Sequence, residues 1–184
     1  MSHAVRWVGA TMLVVSMFGG YVGAVAAASP FDVRLGVSSI TSGAFCPDSQ
    51  EREFVRLINQ FRHQHGKPSV KFSGTLGAAA EHHSIEMATF NYFSHTLRGG
   101  VSAFQNMEQH GYPSNTHKAE NIAAGKKTAR GAFNMWKNSP PHRATMLNNE
   151  FRAIGIGRAY GPSSRYGWYW TTTFGSKFDG GHNC

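Results

Sequence analysis

Trp136-Lys137-Asn138-Ser139-Pro140-Pro141-His142-Arg143-Ala144-Thr145-Met146-Leu147 ends one helix, turns, and starts another with a histidine in its first turn. Ser139 suits an N-cap, its hydroxyl accepting from amides of the next turn, and Pro140 suits the first helical position because it has no amide to leave unpaired. His142 then falls at the third helical position, where the positive end of the helix disfavours protonation and keeps a ring lone pair for a metal or a proton. Read by itself, the stretch is first of all a helix start with a polar residue facing water.

Upstream, residues from about Thr128 to Asn138 form a helix that buries Ala132, Phe133 and Trp136. Downstream, Ile154-Gly155-Ile156-Gly157 and Tyr166 to Phe174 each alternate, with Gly161-Pro162-Ser163-Ser164 between them, which reads as a hairpin. The alternating glycines leave one strand face without side chains, so that a helix can approach the sheet closely there. Lys118-Ala119-Glu120-Asn121-Ile122-Ala123-Ala124-Gly125 suits a short turn or strand and sets one carboxylate among small apolar neighbours, where its charge needs a partner.

Further back, Asp48 and Glu51 make a capping-box pair, and Phe54, Leu57, Ile58 and Phe61 follow at helical spacing, which predicts an amphipathic helix over 49–63. Val70-Lys71-Phe72 is long enough only for an edge strand or a link. A second helix runs from near Ser73 or Thr75 to about Thr89, with Leu76, Ala79, Ala80, His83, Met87 and Phe90 on one face, its alanines implying close packing. His83 on such a face reads first as a hydrogen-bonded core residue. Asn91-Tyr92-Phe93-Ser94-His95-Thr96 then carries a histidine into a loop, and a short helix from about Ser102 to His110 buries Phe104 and Met107 before Gly111 and Pro113 close it.

At the N-terminus, His3 and Arg6, an apolar run from Trp7 to Val25 and Ala26-Ala27-Ala28 occur in the order of an export signal, predicting cleavage before Ser29. An uncleaved membrane anchor is the rival reading. Residues 29–45 then form a Ser/Gly-rich linker or N-terminal arm, and 46–184 the folded domain. The net charge of +8 falls to +7 without the leader, but the basic residues are scattered and carry no specific nucleic-acid signal. Cys46 and Cys184 are the only cysteines and flank everything that looks folded; in an exported chain they are expected to pair.

Phe93-Ser94-His95-Thr96, Ala119-Glu120-Asn121-Ile122-Ala123, Trp136 to Arg143, Ile154 to Gly157, and Trp170-Thr171-Thr172-Thr173-Phe174-Gly175, in that order, resemble the CAP superfamily of cysteine-rich secretory, antigen 5 and pathogenesis-related 1 proteins, above all its bacterial SCP-like extracellular members. The resemblance covers roughly residues 50 to 178. It implies an α+β fold, a three-layer α-β-α sandwich with a central antiparallel sheet. It also implies a cavity in which His95, Glu120 and His142 come together and hold a divalent metal, zinc being the expected ion, with Glu120 as a ligand or as a base on bound water. Eukaryotic members follow their tryptophan with a second glutamate, where this chain has Asn138-Ser139. The resemblance points to a secreted or periplasmic binding module, a monomer whose partner is a lipid, a cell-envelope ligand or another protein. The alternative is a metal-dependent hydrolase with Glu120 as base. HExxH spacing is absent, and no residue identifies a scissile bond.

Overall fold

The computed structural model describes residues 45–180. The export-signal reading, the arm up to residue 44 and Cys184 lie outside the described residues. Cys46 is exposed just ahead of the first helix, and no free cysteine occurs among the described residues.

Helix α1 (Ser49–Gln64) starts on the expected capping box: the Asp48 carboxylate accepts from the amides of Gln50 and Glu51, and Glu51 accepts in return from the Asp48 amide at 2.7 Å. Strand β1 (Lys71–Phe72) is the short edge strand that its length allowed. Helix α2 (Gly74–Phe90) begins at Ser73, whose hydroxyl accepts from the Leu76 amide, and ends at Asn91 in the left-handed conformation. Helix α3 (Ala103–Gln109), strand β2 (Lys118–Ala124), helices α4 (Ala129–Asn138) and α5 (Pro140–Leu147), and strands β3 (Ala153–Tyr160) and β4 (Trp168–Gly175) complete the order.

The sheet runs β1-β3-β4-β2. Its three long strands are antiparallel, with β3 and β4 forming the expected hairpin, and only the two-residue β1 pairs in parallel with β3. Helices α2 and α3 cover one face and α1, α4 and α5 the other, which makes an α-β-α sandwich.

The two faces are packed by different means. On the α1/α4 side an aromatic core closes around Trp136, whose ring meets Phe54 edge-on at 5.1 Å between centroids, with Phe61 against Phe133 at 5.6 Å. The Trp136 indole N–H donates to the Ile122 carbonyl, so the ring is held at both ends. On the other side the Gly-Ile alternation acts as expected. A Cβ added at Gly155 would lie 2.1 Å from the Leu76 carbonyl carbon, and one at Gly157 2.2 Å from the Glu81 amide nitrogen. Backbone meets backbone there, and the side chains that remain are small and hydrogen-bonded: Thr173 Oγ1 donates to the Leu76 carbonyl and Ser84 Oγ to Thr171 Oγ1.

Three local expectations are corrected. Ser139 is the N-cap of α5, but its side chain makes no capping hydrogen bond; with Pro141 at the second helical position, one of the two amides a cap normally serves is missing. Helix α5 is instead fixed from outside: Asn121 Nδ2 donates to the His142 carbonyl at its start, and the buried Arg62 donates through Nη1 to the carbonyls of Met146 (2.7 Å) and Asn148 (3.0 Å) at its end. Phe90 and Phe104 were expected in the core, yet they are 51% and 48% exposed. Phe90 is the last residue of α2, beyond the sheet, and carries the Arg98 guanidinium over its ring at 3.8 Å. Phe104 turns outward in the first turn of α3, where Ala103 and Met107 supply the buried stripe.

Candidate functional site

The site sits at the β2 edge of the sheet, where a buried carboxylate meets two imidazoles. On β2, Glu120 pairs in register with Thr173, itself opposite Gly155, so its side chain belongs to the α2 face of the sheet; Asn121, next along, belongs to the opposite face. The Glu120 side chain is only 2% exposed. Its Oε2 lies 2.8 Å from His83 Nδ1 and its Oε1 2.8 Å from His95 Nδ1, so each oxygen is engaged by a ring nitrogen.

His83 explains why the carboxylate is so firmly held. It is fully buried, and its Nε2 lies 2.9 Å from the Ser94 carbonyl. A carbonyl can only accept, so Nε2 carries a hydrogen, and the Nδ1 contact is a hydrogen bond only with a further proton between Nδ1 and Oε2. One imidazole thereby ties α2, the loop after it and β2 together. The core-histidine reading of His83 holds, and the orienting of Glu120 is an added role that sequence spacing did not reveal.

His95 stands at the mouth of the site, its side chain 57% exposed. With Nδ1–H directed at Glu120, its Nε2 is the nitrogen that retains a lone pair in the neutral ring. The hydrogen bond that His95 donates to Glu120 raises the His95 pKa above its ordinary value, against the opposing effect of partial burial. His142, in the first turn of α5, shifts the other way: burial lowers its pKa, and the charge of His95 lowers it further. The direction is the one expected from its helical position, but the causes are desolvation and a neighbouring imidazole. His142 is thus near enough to feel the charge of His95, while the Glu120 carboxylate bonds to His95. A cleft of about 270 Å³ opens beside His95, lined also by Thr96, Ser102, Ala103, Phe104 and Glu120. The exposed Phe104 is thus a wall of the cleft. Among the described residues no three His, Cys, Asp or Glu side chains close around a single point.

A sandwich of this topology is a fold that known proteins share. The chain matches the cysteine-rich secretory protein family, CAP, over residues 55–174, and it belongs to that family. Among curated relatives it is 34% identical to the uncharacterized protein YkwD of Bacillus subtilis over 120 residues, 65% of this chain and 46% of that protein. It is 29% identical to the uncharacterized membrane protein YlbC of the same organism over 109 residues, 59% of this chain and 31% of that one. The chain therefore spans less than half the length of these relatives. A solved extracellular protein containing a SCP domain from Bacillus anthracis superposes with a TM-score of 0.62 at 26% identity, covering 70% of this chain and 40% of that one. An outer surface protein from Borrelia burgdorferi gives 0.63 at 19% identity over 72% of this chain and 96% of that one, a likeness of fold alone.

Proposed function

We propose that this chain is an exported CAP-domain binding module whose cleft takes up a divalent transition metal, zinc above all, and beside it a small ligand such as a lipid or a cell-envelope component. The observation that carries the reading is the engagement of both Glu120 oxygens by Nδ1 of His83 and His95. A histidine that donates one ring N–H to a carboxylate has its tautomer and orientation set for metal binding through the other nitrogen, and its basicity raised. The donors fit such an ion: His95 Nε2 and the His142 imidazole are two neutral nitrogen ligands, with water completing the shell. Glu120 acts in this reading as the carboxylate behind His95. The exposed Phe104, with Ala103 beside it, gives the cleft an apolar wall for a ligand chain.

The alternative, hydrolysis with Glu120 as base, has less behind it, since no residue of the chain identifies a scissile bond. Export is supported by the order of the leader features and by the likeness to a protein described as extracellular.

Zinc titration of chelator-treated protein, with binding located by the ring-proton shifts of His95 and His142, tests the metal reading. Binding should weaken at least tenfold in His142→Ala and in His95→Ala. Unmoved ring shifts at saturating zinc would overturn it. Mass spectrometry of the exported protein should find its N-terminus within two or three residues of Ser29.

A further inference from the structure

A second histidine pair lies outside the cleft, between α2 and α3. His82 projects from the middle of α2, next to His83 in sequence but on the outward side, and His110 caps the C-terminus of α3. Asn106, fully buried one turn before His110, holds both rings. Its Nδ2 donates to the Ala79 carbonyl at 2.8 Å, which fixes the amide with Oδ1 towards His82. Oδ1 can only accept, so the 2.7 Å contact from His82 Nδ1 carries its proton on the imidazole. His110 Nδ1 lies 2.8 Å from the Asn106 backbone carbonyl, which again can only accept. Both neutral rings are therefore Nδ1–H tautomers, and both keep a bare lone pair on Nε2.

The spacing of the rings agrees with what a shared ion would require. Their centroids lie 5.1 Å apart with planes 40° from parallel. Two imidazoles bound through nitrogen to one tetrahedral ion at about 2.0–2.1 Å would place their centroids roughly 5 Å apart. Both Nδ1 atoms are anchored on one residue, which leaves both Nε2 atoms free of the Asn106 contacts. Next to His82 a hollow of about 310 Å³, lined also by Glu86 and Gln109, leaves room for coordinated water.

We propose that His82 and His110 form a second metal site, for a late first-row divalent ion of the zinc, nickel or copper type, with two imidazole ligands and water. Neutral nitrogen donors select that class over calcium or magnesium, which need oxygen ligands. Asn106 serves as the orienting group, its two oxygens setting both tautomers as a carboxylate or carbonyl does behind metal-bound histidines. The proposal does not depend on the cleft reading, since no residue is shared between the two sites.

The test uses the His95→Ala/His142→Ala double variant, so that failure of the cleft reading cannot be mistaken for failure of this one. Zinc is titrated by calorimetry while the ring-proton shifts of His82 and His110 are followed. One equivalent should bind, moving both rings. Adding His82→Ala or His110→Ala should weaken binding at least tenfold, whereas His63→Ala, an exposed histidine of α1, should leave it unchanged. Thermal unfolding checks that each variant is folded, and the ring shifts in the double variant decide the matter should a further substitution fail to fold. No binding by the double variant, unmoved rings, or equal affinity with and without His82 and His110 would each overturn the proposal.

Discussion

The two faces of the sheet solve one packing problem in opposite ways. Under α1 and α4, large rings interdigitate, with Phe54, Phe61, Phe133, Trp136 and Trp170 filling the space between helix and sheet. Under α2 the strand offers Gly155 and Gly157, and the helix comes down onto bare backbone. An aromatic core stores its stability in apolar area and loses it when volume is removed. A glycine face stores it in close approach and loses it when volume is added. The site belongs to the second face, and this follows from the packing: His83 can reach Glu120 on β2 because α2 lies so near the sheet.

The join between the faces is where the largest loss is expected. The segment before α1 crosses from the α2 layer, where Phe45 packs against Gly77, to the capping box. The C-terminal tail, meanwhile, docks on the α2/α3 layer, with Tyr112 Oη donating to the Lys177 carbonyl and Thr75 Oγ1 to Asp179. A Cys46–Cys184 disulfide would clip the tail to that crossing. Its removal in Cys46→Ser/Cys184→Ser is expected to cost up to about 4–5 kcal/mol in the chain-entropy picture. A thiol assay on native exported protein should read near zero; two reactive thiols per chain would dispose of the clip.

Within the aromatic face, Trp136→Ala should cost about 3–5 kcal/mol, combining a cavity with the loss of the bond to Ile122. On the glycine face, Gly157→Ala adds a single methyl and should still cost about 3 kcal/mol, at the top of the overpacking range, because the atoms it meets are helix backbone and cannot rotate away. Denaturant unfolding of both variants compares the faces directly. The comparison fails if Gly157→Ala is neutral.

The smallest effect concerns the contact between α1 and the sheet. Burial raises the Glu51 carboxyl to about 7, although it accepts backbone N–H bonds from Asp48 and Arg158. The folded pKa lies above the unfolded value, so the folded state holds the extra proton between pH 4.5 and about 7. The contribution of this group is complete below pH 4.5 and is lost as pH rises through about 7. Wild type should therefore lose on the order of 1–2 kcal/mol more than Glu51→Gln between pH 5 and pH 8. Parallel stability profiles for the two proteins would show that Glu51 is ionised throughout.

Local signals sufficed for the elements themselves. The Asp48–Glu51 capping box, the helical spacing from Phe54 to Phe61, the Ser73 start of α2 and the Gly-Ile alternation of β3 act through neighbours a few residues away. Their outcome was therefore written in the chain, as was the need for close helix approach at Gly155 and Gly157. The order of five short motifs identified the family for the same reason, since each motif is a local requirement of one turn or strand. What only the tertiary structure decided are the contacts between distant residues. His83 and Glu120 are 37 positions apart, and whether they meet depends on how deep α2 sits and on the register of β2 against β4. Likewise Asn121 holds the start of α5 in place of the Ser139 hydroxyl, and Phe104 faces the cleft, because docking of whole elements sets which side of each is covered. A histidine on an alanine-rich helix looks the same in sequence whether it fills a core or orients a carboxylate; the two differ only in what the fold brings within about 3 Å of its nitrogens.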